Sequence, residues 1–237
     1  MAILILFFCS GATALVYELI WSKYLALLFG STIQAQTVVL AVFMGGLALG
    51  NKIFSRSADR NRRPLAIYGC LEIAIGLYAI LFSFLYRAAD SLFAAVGSTL
   101  LDRPGPLLLL KGLLSMALLL GPTILMGGTF PVLAAWLQRS TLDAGRRSAR
   151  FYSINSLGAV CGAGIAGFWL IERLGLRATM DFGALVNVII GLTAIAIGRT
   201  QSAHMPATSH SAEAPQAPSG QPQASATVFR RAFSPLP

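Results

Sequence analysis

Lys52-Ile-Phe-Ser-Arg56-Ser-Ala-Asp59-Arg60-Asn-Arg62-Arg63-Pro64 is the stretch that decides the fold. It holds five Lys/Arg and one Asp, and a long apolar run lies on each side, over 37–53 and 65–86. Each run is about long enough to cross a ~30 Å hydrocarbon core. A short basic loop between two spans faces the cytoplasm by the positive-inside rule, so this loop orients the chain.

Composition agrees. Of 237 residues, 56% are hydrophobic and only 11% charged, and the mean hydropathy is +0.71. A soluble domain carries about 25% charged residues, so the composition is that of an integral membrane protein. The net charge of +9 comes from cations in loops beside apolar spans. That placement reads as positive-inside bias and not as a nucleic-acid surface. Cys9, Cys70 and Cys161 lie in apolar runs at unrelated spacings, and His204 and His210 lie in a polar tail. Neither a disulfide framework, a metal site nor a bound cofactor is expected. The first residues lack a basic leader and read as a first membrane helix, not a cleaved signal.

Six spans follow: 2–20, with an interfacial continuation to 28; 37–53; 65–86; 107–126, with an apolar continuation over 129–137; 151–171; and 180–197. With both ends inside, twelve of the eighteen Lys/Arg fall on the cytoplasmic side and six outside. The expected fold is therefore all-α and polytopic, with about six transmembrane helices, N-in and C-in. Residues 1–198 form the membrane domain. Residues 199–237 hold six of the eleven prolines among Ser, Ala, Gln and Thr. They bury too little apolar surface to offset ordering entropy, and are expected to be a disordered cytoplasmic tail.

Within the spans, Gly162-Ala-Gly164-Ile-Ala-Gly167 matches a dinucleotide fingerprint, but no strand precedes it and no acid follows at the required distance. Small residues in a membrane helix let backbones approach, so Gly158/Gly162, Gly46/Gly50 and Gly69/Gly76 read as helix-packing positions. Glu72 lies about 10 Å into the third span at 1.5 Å per residue. A carboxylate at that depth is either a cation or proton site, or a structural hydrogen bond between helices. Tyr17, Trp21 and Tyr24 share a helix face with Glu18 beside them. Two readings stand: a carboxylate-and-aromatic site for an organic cation, through charge and cation–π attraction, or an interfacial aromatic belt with Glu18 hydrated. Gly121-Pro122 and Gly127-Gly128-Thr-Phe-Pro131 interrupt the fourth span. They predict either a broken helix lining a cavity, or a kink followed by an amphipathic stretch along the cytoplasmic surface.

Four segments together resemble a known family: Ser10-Gly-Ala-Thr-Ala-Leu-Val-Tyr17-Glu18-Leu-Ile-Trp21 with Phe29-Gly-Ser-Thr32; Phe43-Met-Gly-Gly-Leu-Ala-Leu-Gly50; Gly127-Gly-Thr-Phe-Pro131; and Tyr152-Ser-Ile-Asn155-Ser-Leu-Gly158-Ala. In this order they are similar to the membrane half of bacterial spermidine-synthase-like membrane proteins, the fused major-facilitator/spermidine-synthase type. Ser55–Arg63 also resembles the loop between the second and third helices of major facilitator transporters, with Ser55 in place of Gly and one residue fewer after Arg60. Asp59, Arg60, Arg62 and Arg63 would then form a cytoplasmic latch between those helices. Family members commonly continue into a soluble aminopropyltransferase domain. Residues 199–237 carry neither its Gly/Asp-rich loop nor an acidic pair, so no catalysis is expected of them.

The resemblance implies a bacterial inner-membrane module, non-catalytic, that acts as an accessory subunit or as a half-transporter pairing with a second copy. A polyamine is the implied ligand, with Glu18 and Glu72 as ammonium partners and Tyr17 and Trp21 stacking on it. Two alternatives remain at this level: a structural subunit packed by its glycine seams into a larger membrane complex, and an anchor for a separately encoded aminopropyltransferase. The lipid bilayer is a partner in every case, and nucleic acid in none.

Overall fold

The computed structural model describes residues 1–30, 33–60, 63–100, 102–140 and 144–203. Its elements are α1 (Ala2–Phe29), α2 (Ile33–Arg60), α3 (Pro64–Gly97), α4 (Pro104–Ser140), α5 (Ala144–Ile165) and α6 (Ile171–Ala203). A 3₁₀ turn, Ser98–Leu100, follows α3, and a π-helical segment, Ala166–Leu170, joins α5 to α6. There is no strand among the described residues. Five helical stretches are long and apolar enough to cross a membrane. The last, Gly145–Thr200, is 56 residues long, or about 84 Å at 1.5 Å per residue, far more than one crossing needs. It breaks at Gly175, where φ is 77° and ψ 172°, a conformation that costs little only for glycine. The break separates the fifth span from the sixth, as the sequence predicts. α6 runs past residue 198 to Ala203, and the tail expected to be disordered lies, over 204–237, outside the described residues.

Three boundaries differ from expectation. α1 does not change into an interfacial helix after residue 20: Ile20, Trp21, Leu25, Leu28 and Phe29 are all buried, so the apolar contacts hold the helix upright to Gly30. α3 is a 34-residue helix that continues beyond residue 86 to Gly97. α4 is one helix across both Pro122 and Pro131. Its C-terminal part packs inward through Val132, Leu133, Ala135 and Leu137 and does not lie along the surface. At Pro122 a neighbouring helix compensates: the Tyr78 hydroxyl of α3 donates at 2.7 Å to the Leu118 carbonyl, which the proline leaves without its helical donor. The α4 register also brings Lys111 Nζ 2.8 Å from the carbonyl oxygen of Phe29, to which it donates. A cation thus sits at the C-terminus of α1, where the helix dipole favours it.

Glycines set the pairing. Gly158 lies on the Phe8 carbonyl, Gly162 on Ala12, and Gly11 on Asn155, so α1 and α5 run parallel. Gly46 lies on Thr123, Gly50 on Ile124 and Gly127 on Leu47, so α2 and α4 also run parallel. α3 and α6 are antiparallel, with Gly69 and Gly191 face to face: a Cβ on either would stand 2.5 Å from the other's carbonyl oxygen. Gly76 packs on Ala184 at the same seam. All six glycines read as packing positions therefore serve contacts within this bundle, which leaves none of those seams free for a partner.

The pairing has an internal symmetry. Exchanging α1–α3 with α4–α6 turns the α1·α5 pair into α4·α2 and returns α3·α6 to itself. Local sequence follows: Gly11-x-Thr13-x-x-Val16 recurs as Gly127-x-Thr129-x-x-Val132, Gly46/Gly50 as Gly158/Gly162, and Gly69/Gly76 as Gly191/Gly198. Successive spans alternate in direction, so the two halves are inverted relative to each other, an arrangement found in transporter folds.

The apolar core has two parts. Tyr17, Trp21, Phe82, Leu119 and Met180 lie in one. Phe7, Tyr68, Leu133, Phe151 and Ile190 lie in the other. Ser10, Thr13, Glu72 and Asn187, all buried, fall between them along α1, α3 and α6.

Candidate functional site

The polar layer is built by one side chain or two from each of three helices. Ser10 Oγ on α1 donates to Glu72 Oε1 at 2.5 Å. Asn187 Nδ2 on α6 donates to Glu72 Oε2 at 2.8 Å. Tyr17 OH donates to Asn187 Oδ1 at 3.4 Å. Both oxygens of the α3 carboxylate therefore have donors, as a fully buried charge requires. The Tyr68 hydroxyl adjoins Ser10 and Glu72 but makes no hydrogen bond of good geometry. Close helix contact at Gly69 and Gly76 lets Glu72 reach α6 at all.

Against this layer lies a cavity of about 430 Å³. Its polar wall comprises Ser10, Thr13, Glu18, Glu72, Thr129, Asn155 and Asn187, and Phe43, Met44 and Met126 are among its apolar walls. Met44 is exposed and marks the open side, on α2. Glu18 is half-buried and lies two helical turns beyond Ser10, about 12 Å along α1. Among the described residues it has no hydrogen-bond partner or counter-ion. The cavity wall thus carries two carboxylates: Glu72, held by neutral donors, and Glu18, without a partner among the described residues.

Of the residues expected at a site, the structure brings Glu18 and Glu72 together and leaves Tyr17 and Trp21 behind the wall. Those two rings are fully buried and stacked on each other, with centroids 5.3 Å apart and planes 11° apart. Trp21 also stacks on Phe82 at 5.5 Å. They are core residues, neither an interfacial belt nor a surface on which a ligand can lie. The expected hydration of Glu18 at the outer interface gives way to a place on the cavity wall. In the latch, Arg62 and the side chains of Asp59 and Arg60 lie outside the described residues, and Arg63 is exposed just before Pro64 of α3.

Sequence reasoning missed Ser10, Thr13, Asn155 and Asn187 as site residues. Asn187 carried the clearest signal: an amide inside an apolar span needs a partner, and an intramembrane carboxylate is the natural one. Among the described residues no group of three or more His, Cys, Asp or Glu side chains could hold a metal ion. Comparison with family models, curated proteins and solved structures finds no match for this chain.

Proposed function

We propose that this chain is a multi-pass module of a bacterial inner membrane that binds an organic ammonium ligand, of the polyamine class, between Glu18 and Glu72. The observation that supports this most directly is the Glu18 carboxylate, without a partner among the described residues, on the wall of a cavity between apolar helices that already holds Glu72. A charge removed from water with no partner is costly, and a ligand bearing two or more ammonium groups would offset that cost at both ends. A linear amine suits two carboxylates on one cavity wall, with Glu18 about 12 Å along α1 from the Ser10 that holds Glu72 and apolar walls for its methylenes. The oxygens of Thr13 and Asn155 would accept from its N–H groups along its length. The inverted halves are the arrangement of transporters, which supports the half-transporter reading over that of a passive structural subunit. The glycine seams that a structural subunit would offer are already used internally. The test is binding of labelled spermidine to purified protein and its uptake into vesicles. Saturable binding lost on Glu18→Gln supports the reading, and absence of binding by the unmodified protein ends it.

A further inference from the structure

A second cavity, of about 520 Å³, lies at the opposite end of the chemistry. It is formed where the first turn of α1, the end of α4 and the start of α5 meet, and Ile3, Leu137 and Phe151 give it an apolar wall. Trp136 stands half-buried at its side, and Arg147 and Arg150 reach it, both exposed. No carboxylate among the described residues lines it. The two arginines are three residues apart on α5 and so share a face.

This end of the bundle also carries Lys52, Arg56, Arg63, Arg146 and Arg199. At the other end, cations such as Arg87, Arg103, Arg173 and Arg177 are interspersed with Asp90, Asp102, Glu172 and Asp181. The end where cations far outnumber its acids, Asp59 and Asp143, is the cytoplasmic one, and the leaflet it meets is rich in anionic lipid.

We propose that this groove holds the headgroup phosphate of an anionic phospholipid of the cytoplasmic leaflet, with an acyl chain against the apolar wall. The chemistry fits at each point. Paired guanidinium groups present forked donors to a phosphodiester. An indole at the membrane boundary suits the headgroup level. α1 begins here without a side-chain cap, so its first N–H groups add donors at the positive end of the helix dipole. A soluble phosphate would use the cations but leave the apolar wall empty, and a zwitterionic lipid would use the wall but bring its own cation.

Trp136 supplies the probe, since the chain has only three tryptophans. In a Trp21→Phe/Trp169→Phe background reconstituted in nanodiscs, brominated phosphatidylglycerol should quench Trp136 at least threefold more than brominated phosphatidylcholine. Arg147→Ala/Arg150→Ala should reduce that quenching to the phosphatidylcholine level. The protein with all its tryptophans provides a parallel measurement. Its thermal midpoint in detergent should rise with phosphatidylglycerol and not with phosphatidylcholine, and the double arginine variant should lose the rise. Equal quenching by the two lipids, or a thermal shift unaffected by the arginine substitutions, would overturn the proposal. So would full displacement of the lipid by millimolar inorganic phosphate, which would make the groove a soluble-anion site.

Discussion

Glu18→Gln separates binding from folding more cleanly than any other substitution in this bundle. Gln keeps the size and shape of the side chain and removes the charge. Glu18 has no hydrogen-bond partner among the described residues, so the fold loses nothing specific, and removing a half-buried charge in an apolar setting tends to stabilise. The thermal midpoint should therefore hold or rise slightly. Binding should change far more. An ammonium about 4 Å from a carboxylate gains about 4 kcal/mol at an effective dielectric constant near 20. Dehydration of both groups cancels part of that, leaving roughly 1.4 to 2.8 kcal/mol, a 10- to 100-fold loss of affinity. The assay is a saturation isotherm with labelled spermidine on purified wild type and variant, beside thermal unfolding of the same preparations. A variant that binds within about twofold of wild type while remaining folded would refute the reasoning. The cavity would then be a packing defect beside a structural carboxylate.

Three further outcomes follow from the geometry. Glu72→Leu strands the Ser10 hydroxyl and the Asn187 amide, each of which now donates to the carboxylate. Thermal unfolding should show a loss of roughly 2–4 kcal/mol, between the ~0.6 kcal/mol average for interhelical bonds in membranes and the cost of two orphaned donors. Glu72→Gln, which can still pair with both, should lose less than about half of that. Gly69→Ala places a methyl 2.5 Å from the Gly191 carbonyl oxygen and 2.6 Å from Ile195 Cγ1, an overpacking cost of about 1–3 kcal/mol. At Gly164 nothing lies within 4 Å of an added Cβ, so Gly164→Ala should be neutral or stabilising by up to about 1 kcal/mol. Equal effects at the two glycines would contradict the α3–α6 seam. Lys111→Met removes the 2.8 Å bond to the last carbonyl of α1, and hydrogen exchange should show faster opening of the final α1 turn with the rest of the bundle unchanged.

The fold was largely legible because membrane spans announce themselves through length and apolar content, and because a loop such as 52–64 orients them. The ends of the helices were less so. Pro122 and Pro131 each remove a helical hydrogen bond, yet α4 continues through both; at Pro122 the Tyr78 hydroxyl of α3 supplies the missing donor to Leu118. Trp21 and Tyr17 have the composition and spacing of an interfacial belt, and only the depth of α1 in the bundle shows that they are core. The site was half legible. Glu18 and Glu72 stand out as carboxylates in apolar sequence, while Ser10, Thr13 and Asn155 are small polar residues of kinds that membrane helices use freely for packing. Their convergence depends on which helices pair, and a single sequence does not state that α1 lies on α5 and α3 on α6.

The internal repeat provides an argument about which residues the fold itself requires. In the register that aligns Gly11 with Gly127 and Thr13 with Thr129, Glu18 corresponds to Ala134. In the register that aligns Gly69 with Gly191, Glu72 corresponds to Ala194, and both are fully buried. The glycines, threonines and valines that set helix contact are present in both halves, whereas both cavity carboxylates belong to the first half alone. An identical packing task is thus performed by alanine in one half and by a buried acid in the other. Stability alone gives no reason to prefer the acid, because a buried charge must recover its dehydration cost through hydrogen bonds that an apolar residue does not need. Replacing Glu72 and its two donors together, as Ser10→Ala/Glu72→Leu/Asn187→Leu, should therefore yield a bundle more stable than Glu72→Leu alone, short of the parent only by the Tyr17 hydroxyl bond that Asn187 accepts, and one that no longer binds the amine. If the triple variant is no more stable than the single one, the network is required by the fold and the asymmetry of the repeat carries no functional meaning.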